Sequence, residues 1–166
     1  MRVSSIFAAA AILATTAPPA AAQDYVSDRV VASVTQDDLV AVVGALGHQV
    51  LEQGGGDAVF VVAQADGALN YFLFGTACDA NGVSGCQGIM MQMRFDLPAG
   101  TTLETLAKAN DDAAAIKVWA DFEGKTLGIT RYHVLDGGVT MANIRENVNV
   151  MLALAAVAYP IAAGEE

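Results

Sequence analysis

A period-two alternation between residues 89 and 95 is the feature that most constrains the fold of this chain. The positions run in the order Ile89, Met90, Met91, Gln92, Met93, Arg94 and Phe95. Because successive side chains of a β-strand point to opposite faces, this pattern predicts a strand with one buried face. Met91 and Met93 share the face of Phe95 and are expected in the core. Met90 points the other way, and we expect it at an adaptable apolar binding surface.

The rest of the chain alternates between strand and helix signals. Strands are predicted at 48–52, 58–64, 69–76, 116–122 and 126–135, and helices at 36–46, 102–110 and from Thr140 onwards. Capping-box patterns, Thr35 with Asp38 and Thr101 with Glu104, mark the first two helix starts. Strand 69–76 has large apolar side chains on both sides, so we expect both of its faces to be covered. The element order is α-β-β-β-(β)-α-β-β-α.

The N-terminal segment is typical of an export signal. Residues 1–22 contain one charge, Arg2, followed by an apolar run that is too short to span a membrane. Small residues at 20–22 fit a cleavage site before Gln23. We therefore expect a signal peptide, a mature chain that begins near Gln23, and a periplasmic or secreted protein.

Export changes the interpretation of Cys78 and Cys86, the two cysteines of the chain. An oxidising compartment favours a disulfide between them across the short loop 79–85. A zinc site would need further ligands nearby, and a redox pair usually has the tighter C-x-x-C spacing. The prediction is a structural disulfide and no metal site.

Composition excludes several classes of protein. The chain is 54% hydrophobic and 16% charged, which is too apolar for a disordered acidic tail. Its net charge of −10 gives no basic surface for the phosphates of nucleic acid. Residues 150–163 lack charge but are fewer than the roughly 20 residues of a membrane span. We expect a buried helix or a dimer face there.

That last helix carries an apolar stripe at Ile144, Val148, Met151 and Leu152. The stripe predicts one continuous buried face, with Leu152 among the residues most sensitive to truncation. The neighbouring asparagines, Asn147 and Asn149, lie off the stripe, and their replacement by alanine is expected to change stability little.

The chain resembles the YbjN family of bacterial proteins over most of residues 34–155. The matching pieces are Val34-Thr35-Gln36-Asp37-Asp38-Leu39, Leu46-Gly47, Ala65-Asp66-Gly67, Phe74 with Cys78 and Cys86, Ala109-Asn110, Val118-Trp119-Ala120-Asp121-Phe122-Glu123-Gly124, and Leu135-Asp136-Gly137-Gly138-Val139-Thr140. The resemblance implies an α+β fold like that of type III secretion chaperones, with helices packed on an antiparallel sheet and often dimeric. It implies an unassigned regulatory or binding role and no catalytic residues.

These patterns predict a lead-in at 23–33, a YbjN-like domain at 34–161 and an acidic tail at 162–166. Asn110 and Trp119 join Met90 as candidate binding residues. The alternatives are a helix C-terminal cap for Asn110 and core packing for Trp119.

The function that we expect is an exported, non-enzymatic binding or regulatory module with a chaperone-like character. Its expected partner is a protein or peptide, or a second copy in a homodimer, with no cofactor, no nucleic acid and no stable membrane span. Two alternatives remain open at this point. One is a periplasmic enzyme with a site near His133 and Asp136, although Ser84 does not lie in a G-x-S-x-G nucleophile elbow. The other is a structural envelope protein.

Overall fold

The computed structural model describes residues 25–55 and 58–165. The predicted signal peptide 1–22, the predicted start at Gln23 and the final Glu166 lie outside the described residues. Within them the fold is α+β, with a six-stranded antiparallel sheet, a two-stranded sheet and three α-helices. The predicted fold class is confirmed, and so is the predicted order of the three helices and of the six strands of the large sheet, including the fourth strand before the second helix.

The strands are β1 (Val30–Val31), β2 (Gln49–Gln53), β3 (Phe60–Ala65), β4 (Leu69–Cys78), β5 (Cys86–Asp96), β6 (Lys117–Asp121), β7 (Thr126–Val134) and β8 (Val139–Thr140). The large sheet has the order β2-β3-β4-β5-β7-β6, and every neighbouring pair is antiparallel. The short strands β1 and β8 pair with each other. This pairing was missed in the sequence, because a two-residue strand has no alternation to detect.

The helices are α1 (Gln36–Ala45), α2 (Leu103–Asp112) and α3 (Met141–Ala163). Thr35 and Asp38 form the predicted capping box of α1. The box of α2 was placed one residue too early, because Thr102 and Thr105 make it. Thr101, which was expected to be the cap, is instead buried with 8% of its surface exposed.

All three helices pack on one face of the large sheet. On β4, Tyr71 and Leu73 are fully buried on this face, whereas Phe72 and Phe74 on the opposite face are only half-buried. The expectation that both faces of this strand are covered was therefore wrong. The helices cover only the face with Tyr71 and Leu73. On the opposite face, Phe72 and Phe74 contact each other and Phe60 of the neighbouring strand.

Met91 and Met93 are fully buried on the helix side of β5, as predicted, and Met90 lies on the other side.

The Cys78–Cys86 disulfide is present and joins the end of β4 to the start of β5. In the chain-entropy model, closing so short a loop contributes roughly 2–3 kcal/mol to stability. The disulfide thus fixes one end of the two central strands.

Helix α3 extends through Pro160 to Ala163 and ends at Gly164 in the left-handed conformation, with φ of 75°. Proline is tolerated near the end of the helix, although its missing N–H deprives the carbonyl of Ala156 of its usual donor. By length and hydropathy, α3 is apolar enough to cross a membrane, and 39% of its most apolar stretch is buried in the protein. Core helices of globular proteins reach the same length and hydropathy.

Candidate functional site

The sheet face turned away from the helices carries a cluster of large apolar side chains, which we call the open face. Its apolar members are Phe60, Val62, Phe72, Phe74, Met90, Trp119 and Tyr132. None of them is fully buried, and Tyr132 is 54% exposed. Two of the three predicted binding residues, Met90 and Trp119, therefore lie on one surface, and Trp119 is not part of the core.

Three phenylalanine rings on this face support one another. The rings of Phe72 and Phe74 are stacked, with centroids 5.7 Å apart and planes 6° apart. Phe60 on the neighbouring strand lies 6.3 Å from Phe74. Contacts of this kind fix the ring positions and contribute about 0.5–1.5 kcal/mol per pair beyond the area they bury. The open face is thus a pre-arranged apolar surface.

A chain of hydrogen bonds crosses the open face beside the rings. The Nε1–H of Trp119 donates to Thr130 Oγ1 at 2.9 Å, and Gln92 Nε2 donates to the same oxygen at 3.2 Å. Arg94 Nε donates to Gln92 Oε1 at 2.7 Å. A Cβ on Gly128 would lie 2.1 Å from the Trp119 ring, so the indole packs directly on the glycine backbone. The hydrogen bond to Thr130 and the packing on Gly128 together fix the orientation of Trp119.

Asn110, the third predicted binding residue, lies elsewhere. It is inside the last turn of α2, and its side chain donates to the carbonyls of Leu106 and Val118 and accepts from the Val118 N–H. These bonds fasten α2 to β6. Asn110 therefore has a structural role, the attachment of α2 to β6. It is not the C-cap of α2, which is Ala113.

The two residues of the predicted enzyme alternative have separate partners. Asp136 accepts a hydrogen bond from Gln87 Nε2 at 3.1 Å, whereas His133 lies on the helix side of β7 beside Asn143. Burial and the nearby Arg131 cation lower the pKa of His133, and a hydrogen bond with Asn143 opposes them. The buried Nε2 has no hydrogen-bond partner among the described residues. The structure thus does not bring His133 and Asp136 together as a hydrogen-bonded pair.

A partly buried polar contact joins β7 to α3. Arg131 Nε donates to Asn147 Oδ1 at 2.8 Å, and another guanidinium nitrogen of Arg131 donates to the carbonyl of Ala115. Asn147 is 8% exposed and also donates to the Asn143 carbonyl at 2.8 Å. The prediction that Asn147 lies off the buried face was therefore wrong. Leu152 is only half-buried, whereas Met151 is fully buried.

A groove of about 370 Å³ opens on the helix side of the sheet, where the C-terminal half of α3 passes over β4 and β5. We call it the α3 groove. Its walls are Leu69, Met93, Phe95, Ala155, Ala156 and Tyr159. The Phe95 and Tyr159 rings meet at one side, with centroids 4.7 Å apart.

The groove exists because α3 carries alanines where it faces these strands. A larger side chain at Ala155 or Ala156 would fill the space between helix and sheet. The Tyr159 hydroxyl is the one polar side-chain group among the six lining residues. The sequence did not predict this site, because it does not show which strand residues lie opposite the alanines of α3.

No group of three or more His, Cys, Asp or Glu side chains that could hold a metal ion occurs in the described part of the chain. The loop between the two cysteines forms a short 3-10 turn over Ala80–Gly82. The α3 groove and the open face both present mainly apolar side chains.

The comparisons with known proteins identify one structural relative by name. The crystal structure of YbjN from E. coli, a proposed transcription regulator, matches with a TM-score of 0.49 and 17% sequence identity. The match covers 76% of this chain and 93% of that one. No protein-family model and no curated protein matches this sequence.

Proposed function

We propose that this chain is an exported, non-catalytic binding module that takes up an apolar segment of a partner protein in the α3 groove. The groove itself carries the proposal. Its lining is apolar apart from one hydroxyl, and its volume of about 370 Å³ lies within the range of roughly 300–1,000 Å³ that is usual for binding sites. Such a site takes up side chains that would otherwise meet water, which is the chaperone-like role expected from the sequence.

The composition of the groove indicates what the segment should contain. Leucine or similar side chains fit a cavity walled by Met93, Phe95 and two alanines. The net charge of −10 favours a neutral or basic segment over an acidic one.

The described geometry gives less support to an enzyme at His133 and Asp136. Those side chains have different hydrogen-bond partners. A general acid or base works best when a second group orients it and a substrate can reach it. The buried Nε2 of His133 lies beneath α3, away from the α3 groove residues.

A peptide titration tests the proposal. The purified protein is titrated by calorimetry with a short peptide that has two leucines flanked by lysines, and with a matched peptide that has serines in place of the leucines. We expect the leucine peptide alone to bind. Ala156→Phe should fill the groove and exclude a leucine side chain from it. We expect the Kd to rise about tenfold or more, because a loss of about 1.4 kcal/mol of binding free energy raises Kd tenfold.

The matched control is Ala153→Phe, an exposed position on the same helix that does not line the groove. This variant should bind the leucine peptide as the wild type does. Equal binding by the wild type and Ala156→Phe would contradict the proposed site. Failure of the wild type to prefer leucine over serine would contradict the proposed function.

The export part of the proposal depends on residues 1–22, whose apolar run and small residues before Gln23 are typical of a signal peptide. N-terminal sequencing of protein from the periplasm should find Gln23 as the first residue. An abundant cytoplasmic form that retains Met1 would contradict export without affecting the groove.

A further inference from the structure

One register row of the open face has a charged residue at each end and uncharged residues between them. The row runs across the sheet as Glu52, Val62, Phe72, Gln92, Thr130 and Lys117, from β2 at one edge to β6 at the other. The side chains of Glu52 and Lys117 make no hydrogen bond or ion pair with another described residue, and both residues are exposed. Both charges are thus available to a surface that covers this face.

We propose that a second copy of this chain packs on the open face, related by a two-fold axis that runs parallel to the strands between β4 and β5. Such an axis reverses the order of strands, so that β2 of one copy lies over β6 of the other. Glu52 of each copy then faces Lys117 of the second copy, and the pair occurs twice. Two sheets packed face to face in this way lie about 10 Å apart, with their strands nearly aligned.

The neighbouring row has the same symmetry. It consists of Phe60, Phe74, Met90 and Tyr132 on β3, β4, β5 and β7, which are the four strands centred on the proposed axis. Under the same rotation Phe74 meets Met90 of the second copy, and Phe60 meets Tyr132. Every contact in this row is therefore between large apolar or aromatic side chains.

The charges also disfavour a two-fold axis that runs along this row. An axis along the row would place Glu52 over Glu52 and Lys117 over Lys117, and both pairs would repel each other. An unrelated partner would not require opposite charges at the two ends of one row. When this row is reversed by a two-fold axis, each end meets the opposite charge. A surface that is complementary to itself in this way suits a symmetric dimer. The α3 groove opens on the other side of the sheet, so this pairing leaves it free.

Charge reversal and sedimentation equilibrium test this proposal at low salt. The wild type should be a dimer in reversible equilibrium. Glu52→Lys and Lys117→Glu each turn two attractive contacts per dimer into repulsive ones, and each should raise the dimer Kd about tenfold. The double variant restores opposite charges and should return the Kd to within about twofold of the wild-type value.

A second pair of variants tests the apolar row. Phe74→Asp places a charge at its centre and should abolish the dimer, whereas Val157→Asp, at a 51% exposed position on α3, should leave it unchanged. Circular dichroism checks that each variant is folded. A monomeric wild type at all accessible concentrations, or a dimer that is unaffected by Phe74→Asp, would overturn the proposal. So would a double charge variant that remains as weak as the single ones. Peptide binding by a monomeric protein would leave the proposed groove intact.

Discussion

Asn147 accepts a hydrogen bond from the partly buried side chain of Arg131. Replacement by alanine removes the acceptor of the 2.8 Å bond from Arg131 Nε and leaves a charged donor with one partner fewer. Because hydrogen bonds to charged groups contribute about 1.5–3 kcal/mol, we expect Asn147→Ala to lower the free energy of unfolding by about 2 kcal/mol. Urea denaturation measures the change. Asn149→Ala, at an exposed position on the same helix, is the control and should change stability by less than about 0.5 kcal/mol.

Equal effects of the two asparagine variants would show that the Arg131 contact does not stabilise the fold. The sequence placed Asn147 outside the buried stripe because its side chain is polar, and the structure contradicts that placement. The sequence could not show that Arg131, sixteen positions earlier, lies opposite and needs an acceptor. Burial of a polar residue depends on a partner from another element, and no local pattern carries that information.

His133 makes stability depend on pH in a defined direction. Its pKa in the folded protein is lowered, chiefly by burial, so the unfolded chain binds a proton that the folded protein does not. The stabilisation is therefore present above the ordinary histidine pKa of about 6.5, and it is lost as the pH falls below that value.

Replacement by Gln, which does not titrate, should remove this contribution. Between about pH 7.5 and 5.5, the free energy of unfolding should fall less steeply for His133→Gln than for the wild type. Urea denaturation at several pH values gives both slopes. Identical slopes would mean that His133 titrates alike in the folded and unfolded states.

At the scale of elements, α3 is fixed to the sheet by its fully buried residues. Met151 is 0% exposed, whereas Leu152 next to it is half-buried. Truncation of a fully buried Met to Ala costs about 2–5 kcal/mol, so Met151→Ala should destabilise the protein clearly more than Leu152→Ala. Thermal denaturation compares the two variants. A larger loss for Leu152→Ala would mean that the helix is rotated from its described position.

The packing of β6 on β7 can be followed through Trp119, which is the one tryptophan of the sequence. A Cβ on Gly128 would come within 2.1 Å of the indole ring, so Gly128→Ala must displace it from the sheet. We expect a red-shifted tryptophan emission and a less stable protein. Gly44→Ala in α1, where nothing lies within 4 Å of the added Cβ, should leave the emission unchanged and stabilise the helix by up to about 1 kcal/mol.

Element positions were largely predictable because they depend on local signals. The alternation around Met91 and the capping box of Thr35 with Asp38 placed β5 and α1 correctly. The functional surfaces depend on which strands become neighbours. Phe74, Met90 and Tyr132 come from three strands that are adjacent only in the sheet order, and the α3 groove joins residues 69 and 159. Period and propensity carry no information about such distant pairings.

For the whole molecule, the six-stranded sheet separates two apolar surfaces with different proposed occupants. One face holds the helices and the α3 groove, and the other is the open face with Glu52 and Lys117 at its edges. Met93 and Met90 lie on the same strand but on opposite faces, so their side-chain methyl groups report on the two surfaces separately.

The most direct test of the groove is therefore a methyl NMR titration of the protein with the lysine-flanked leucine peptide. The resonances of Met93, Ala155 and Ala156 should shift as the peptide is added, with saturation at one peptide per chain, while Met90 should not shift. Shifts centred on Met90, or no saturable shift at the groove methyl groups, would contradict the proposed binding site.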